Sequence, residues 1–174
     1  RLGSSDPVEL RGSVEEIVEH FDISRFGAAP TKFDVTDLYP LTARYLQTLP
    51  YDQVRDEIAA LGVPDAIAPR FWEVVRENIS ARSEMAEWWA FFRDGPEKPI
   101  IAPEDREFVE EAFELLPDFP YDRDSWGAWT AAVKQKTGRK GKQLFMPLRL
   151  AVTGRSRGPD MADVMDLMQV PVEI

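Results

Sequence analysis

The side chains with the most chemical potential lie close together late in the sequence. From Lys134 to Arg157 there are eight basic residues (Lys134, Lys136, Arg139, Lys140, Lys142, Arg149, Arg155 and Arg157) and no acidic one. Net charge is −10, so the 150 residues outside that stretch hold 13 basic and 31 acidic groups. A body this acidic repels phosphate, whereas the stretch attracts it. Within it, Thr153-Gly154-Arg155-Ser156-Arg157-Gly158 is a turn between two helical patterns. Such a turn offers backbone N–H groups, a helix N-terminus and two guanidinium groups, a set suited to phosphates and to the edges of unstacked bases. Arg149 is the one charge in the apolar run from Gln143 to Val152. A guanidinium is costly to bury unpaired, so Arg149 needs a partner, either a protein carboxylate or a ligand. Plainer explanations exist for both features: a solvated basic loop, and an intramolecular ion pair.

Other chemistries find no residues to carry them. His20 is the only histidine, and a lone imidazole at a helix C-terminus suits a capping cation better than a catalyst. The carboxylate pairs Glu15/Glu16 and Glu110/Glu111 fall on faces that read as solvated. No Gly-rich phosphate loop follows a strand, and no His/Asp/Glu set has metal-ligand spacing. Cysteine is absent, which excludes disulfides and thiolate metal sites and fits a reducing, cytoplasmic setting. No apolar run approaches the ~20 residues needed to cross a membrane, and the N-terminus has no signal-peptide pattern. Without nucleophile, metal site or nucleotide loop, the sequence reads as a binding module.

The elements that must position the basic turn are helical nearly throughout. With 174 residues, 44% of them hydrophobic, a core can form. Ser13-Val14-Glu15-Glu16 has capping-box spacing, opening a helix with Val14, Ile17, Val18 and Phe21 at helical intervals. Phe26-Gly27-Ala28-Ala29-Pro30 breaks it. A second helix runs over 38–49 with Leu41, Tyr45, Leu46 and Leu49 on one side. Asp52 is placed to cap a third, with Val54, Ile58 and Leu61 inward and Gly62 at its end. From Pro69 to Phe92 aromatic and aliphatic residues recur at three- and four-residue steps, interrupted at Ser80–Ser83 and stopped by Asp94-Gly95-Pro96. Pro103-Glu104-Asp105 starts another helix, with Pro in the first turn and acids facing the dipole. Its stripe is Phe108, Ala112 and Leu115. After the turn Phe119-Pro120-Tyr121-Asp122, Asp124 or Ser125 caps a helix with Trp126, Trp129, Ala132 and Val133, closed by Gly138. Pro147 is expected in the first turn of the apolar helix, where Pro is tolerated. Gly158-Pro159-Asp160 opens a last helix with Met161, Val164, Met165 and Met168.

The run LFMPLRLAVTGRSRGPDM resembles the C-terminal signature of bacterial glutamyl-tRNA synthetases, close to F-x-P-L-R-x-A-L-T-G-x-x-x-G-P, and the GRKGK before it matches the approach to that signature. SVEEIVEHFDISRFGAAPTKFD, from Ser13 to Asp34, resembles the helix and FD turn that follow the catalytic domain in that family. Arg1-Leu2-Gly3 resembles the end of the class I KLSKR loop, which makes this sequence a C-terminal piece without its catalytic half.

The resemblance implies an all-α fold: a stem-contact segment over 1–40, then two consecutive helical bundles over 41–116 and 117–174 that grip the anticodon arm. It implies ATP-dependent attachment of glutamate to tRNA as the parent activity, with ATP and Mg bound in the absent catalytic domain and no cofactor here. The implied partners are glutamate tRNA and that domain; the implied setting is a cytoplasmic monomer. By position in the signature, Arg149 corresponds to an arginine that contacts anticodon bases. Gly158, Pro159 and Met161 fall where the family lines the same pocket, with Thr153, Arg155 and Arg157 beside them. Lys136, Arg139, Lys140 and Lys142 are expected on the tRNA backbone. There are departures. Some members carry an arginine in the long helix that separates glutamate from glutamine tRNAs; Asn78 stands there, with Arg76 as the alternative reader. This predicts relaxed discrimination, with glutamine tRNA also accepted. A Trp-Leu-Asn segment of the family is replaced by Tyr39-Pro40-Leu41-Thr42. The competing reading is a helical protein-interaction scaffold, with Trp88, Trp89 and Phe92 as an exposed hot-spot patch; burial of the Trp pair would count against it.

Overall fold

The computed structural model describes residues 9–27 and 34–174. The matches at Arg1-Leu2-Gly3 and across Ala28–Phe33 lie outside them. Among the described residues the secondary structure is entirely helical, with no strand.

Helix α1 (Val14–Glu19) begins as its capping box requires, with a variation. Ser13 Oγ accepts from Glu16 N, but the Glu16 carboxylate accepts from Gly12 N at 2.8 Å, one residue before the cap. His20 is the C-cap residue, its Nδ1 2.9 Å from Glu16 O. The apolar stripe of α1 is not buried: Val14 is 70% exposed, and Ile17, Val18 and Phe21 are exposed as well. Periodicity indicates an amphipathic helix but not what covers its apolar side.

Helices α2 (Tyr39–Thr48), α3 (Arg55–Ala60), α4 (Ala68–Val75) and α5 (Glu84–Asp94) come next. In α2, Leu46 and the following Leu49 are buried, but Tyr45 points outward. Asp52 does not cap α3; it sits in a short 3-10 turn, and Val54 takes the cap position without a side-chain bond. Between α4 and α5 the expected interruption occurs. Glu84 holds it by accepting from Ser80 N at 3.0 Å and Ala81 N at 2.9 Å. Trp72 Nε1 donates to Leu49 O at 2.8 Å, tying α4 to the end of α2.

Helices α6 (Arg106–Phe113), α7 (Ser125–Thr137), α8 (Lys142–Thr153) and α9 (Met161–Leu167) follow. Neither Asp124 nor Ser125 caps α7 by its own side chain. Asp122 does so, accepting from Ser125 N, Asp124 N and Ser125 Oγ. Helix α6 packs on α7 and α8: Trp129 Nε1 donates to Ala112 O at 2.7 Å, and Phe113 meets Trp129 edge-on.

Pro147 lies inside α8 rather than in its first turn. Proline has no N–H, so the carbonyl of Gln143 loses its helical donor. Arg139 supplies a replacement: its guanidinium donates to Gln143 O at 3.4 Å, pairs with Asp105 at 2.5 Å, and lies 3.9 Å from the centre of the Phe108 ring. One arginine thereby satisfies the freed carbonyl and joins α8 to α6.

The two halves share one core. Arg70 of α4 pairs with Asp163 of α9, and Gln169 N donates to Phe92 O at 2.8 Å. The connecting loop, residues 95–102, is fastened to α8 by Ile100 N donating to Leu150 O at 3.1 Å.

Candidate nucleic-acid interface

The turn after α8 is built by backbone constraints. Gly154 adopts a left-handed conformation at φ +63°, and a Cβ there would stand 2.8 Å from the backbone oxygen of Lys98. Only glycine fits both demands. Thr153, buried, donates through Oγ1 to Arg149 O at 2.7 Å and accepts from Arg155 N at 3.0 Å. Its role is to close the turn and fix the backbone of Arg155.

Gly158, at φ +146°, lies against the rim of an aromatic ring. A Cβ there would lie 3.0 Å from Trp88 Cη2 and 3.6 Å from Arg149 Nη1. Asp160 caps α9 by accepting from Ala162 N at 2.8 Å. Pro159 is buried, and Met161 is part of the core.

Arg149 is half-buried and pairs with no carboxylate among the described residues. Its guanidinium donates to Pro159 O at 2.8 Å. Burial pulls its pKa down, and the nearby Asp160 charge opposes that fall; an arginine stays charged through such a shift. A guanidinium has five N–H donors, and among the described residues this one makes a single hydrogen bond, that to Pro159 O. The intramolecular ion pair, its plainer explanation, does not form.

Arg155 sits with its Cζ 4.4 Å from the centre of the Trp88 ring. Thus Arg149, Arg155, Gly158 and Pro159 converge, and Trp88 of α5 forms their floor. Trp88 is 4% exposed, Trp89 4% and Phe92 0%. The exposed aromatic patch that a protein scaffold would need is absent, because these rings are core. Nothing in the spacing of α5 marked Trp88 as adjacent to the basic turn.

The rest of the basic stretch divides in two. Lys136 is paired with Glu114 at 3.1 Å and Glu111 at 3.4 Å, and Arg139 with Asp105. Their charges are committed to α6, so both act first as internal ties. Lys134, Lys140, Lys142 and Arg157 are exposed and have no carboxylate within ion-pair distance among the described residues. Lys142 also borders an open groove of about 550 Å³ lined by Glu104, Asp105, Arg139, Gln143, Met146 and Leu150.

Arg76 and Asn78 make contacts of their own: Arg76 donates to Leu49 O at 3.4 Å, and Asn78 Nδ2, beyond the end of α4, donates back to Val74 O at 3.0 Å. No hydrogen bond, ion pair or ring contact joins either to the Arg149–Trp88 cluster. Among the described residues no group of three or more acidic or histidine side chains could hold a metal ion, and no helix is long and apolar enough to cross a membrane.

Glutamate–tRNA ligase 2 of Jannaschia sp. (strain CCS1) is 66% identical over 170 residues, 98% of this chain and 38% of the relative. Glutamate–tRNA ligase 1 of Ruegeria pomeroyi is 64% identical over the same shares. The chain therefore spans little more than a third of the length of the curated relatives it matches. The crystal structure of glutamate–tRNA synthetase from Elizabethkingia anophelis superposes with a TM-score of 0.67 at 19% identity, covering 90% of this chain and 33% of that one. At that identity the likeness speaks for the fold alone. The family description "Anticodon binding domain" matches residues 37–169. A match over that much of its length places the chain in the anticodon-binding-domain family.

Proposed function

We propose that this chain is the part of a glutamate–tRNA ligase that grips the anticodon arm of glutamate tRNA. The observation that carries the reading is the Arg149 guanidinium: half-buried, without a carboxylate partner, and aimed along a turn built from Gly154, Gly158 and Pro159. Such a group is held ready for an acceptor from outside the protein, and unstacked anticodon bases present acceptors on their edges. Arg149 contacts bases, Thr153 positions the turn, and Arg155 and Arg157 stand beside it. Gly158, Pro159 and Met161 shape the pocket. Lys140 and Lys142 take backbone phosphates, with Lys136 and Arg139 contributing only as far as their internal pairs allow. The names and high identity of the relatives support the assignment.

On this reading glutamate activation, with its ATP and Mg, belongs to a catalytic domain of the same cytoplasmic, monomeric enzyme. The exposed apolar side of α1 is suited to packing against that domain. The chain comprises a short stem-contact segment over 1–40 and two bundles, over 41–116 and 117–174. Asn78, with its amide donated to Val74 O, offers no cation for discrimination, so the parent enzyme charges glutamine tRNA as well. Rejection of glutamine tRNA by the full-length enzyme would end that part.

The main test is a titration of the chain against glutamate tRNA and an unrelated tRNA at two salt concentrations. Preference for glutamate tRNA is expected, and Arg149→Ala should cost about 1–3 kcal/mol. Equal binding of both tRNAs, untouched by Arg149→Ala, would refute the reading.

A further inference from the structure

We propose that the Arg155 guanidinium, set over the Trp88 indole, is a stacking shelf for one unpaired anticodon base, so that the recognition site is built from both bundles. The inference rests on the anticodon reading above and names a residue pair with a distinct task within it. Trp88 is fixed on all sides. Phe92 stacks against it at 6.0 Å and 29°, Phe91 meets it edge-on at 6.0 Å, and the Gly158 backbone crosses its rim. Arg155 covers this ring with its Cζ 4.4 Å from the ring centre. It has no carboxylate in ion-pair range among the described residues, is only partly buried, and has its backbone N–H anchored on Thr153 Oγ1.

A guanidinium is planar. The indole covers one side of the group, which leaves its opposite side and N–H edge for a ligand. Single-stranded bases stack on aromatic rings and on arginine planes. Arg149 Nη1 and the Trp88 rim both border Gly158. A base on the Arg155 shelf therefore has its edge within the neighbourhood of the Arg149 donors. Stacking would hold the base while Arg149 reads it. Lysine at 155 would provide the same charge for a phosphate but no plane, and that difference is measurable.

The experiment uses the whole chain and the anticodon stem-loop RNA of glutamate tRNA. Arg155→Lys should weaken binding by about five- to a hundredfold, the value of one stacked base, with the salt dependence unchanged because the charge is kept. Stem-loops made abasic at each anticodon position in turn locate the base. The penalty of Arg155→Lys should vanish for one of the three and persist for the others. The proposal is overturned if Arg155→Lys binds as the wild type does, or if its penalty survives at all three abasic positions, which would mark a phosphate contact. Intact preference of the wild type for this loop over an unrelated one, with a silent Arg155→Lys, overturns the shelf alone. Loss of preference in the wild type, or no binding at all, overturns the anticodon reading and the shelf with it.

Discussion

Replacing Gly154 by Ala tests whether the turn after α8 is fixed by its contact with the 95–102 loop. Gly154 and Gly138 both end a helix in the left-handed region, at φ +63° and +71°. They differ in surroundings: a Cβ at Gly138 meets nothing within 4 Å, whereas at Gly154 it stands 2.8 Å from Lys98 O. Left-handed backbone costs Ala about 1–2 kcal/mol, offset by about 0.4–1 kcal/mol from a stiffer unfolded chain. Gly138→Ala should therefore destabilise by roughly 0.5–1 kcal/mol. At Gly154 the backbone of the 95–102 loop must move as well. Overpacking adds about 1–3 kcal/mol, and the Ile100–Leu150 hydrogen bond is put at risk. The gap between the variants should be about 1.5–3 kcal/mol, or roughly 4–10 °C in Tm for a chain of this size. Thermal melts followed by circular dichroism read it directly. Equal Tm values for the two variants would refute the claim that the loop braces the turn.

Two further outcomes follow from particular contacts. Arg139→Ala should destabilise by about 1–2 kcal/mol through its lost pair and ring contact, and by measurably less in a Pro147→Ala background, where an N–H again reaches Gln143 O; additive costs in the double-mutant cycle would show that Arg139 does not compensate for the proline. The Asp122 carboxylate is held below its ordinary value of 3.8, first by the Ser125 hydroxyl and then by backbone N–H groups, with burial opposing. Its contribution is complete above 3.8 and lost as pH falls through the lower folded value, so Asp122→Asn should be less stable at neutral pH and show a shallower acid-side decline in Tm; parallel Tm profiles would contradict this.

Local features of the sequence were legible because they depend on neighbouring residues. Ser13 caps α1, Ser80–Ser83 interrupts the long helical stretch, and Gly138 and Gly154 end their helices where their spacing indicated. Asp124 holds the N-cap position of α7 as its spacing indicates, but the capping carboxylate is that of Asp122, and the cap expected at Asp52 falls at Val54, because several short polar side chains compete for one first turn and geometry selects among them. Pro147 falls in the interior of α8 because the helix starts at Lys142. Pairing of the basic stretch was not legible, since Lys136 and Arg139 meet carboxylates 22 and 34 residues away.

By itself, the sequence determined the all-helical character, the order of helices and the family signature, because helical period, caps and a contiguous motif are properties of short windows. Which cations remain unpaired, which aromatic residue underlies them and which apolar stripe stays bare were decided only by tertiary structure. Those outcomes depend on α5 meeting the turn after α8, an encounter between residues some seventy positions apart that no local pattern encodes.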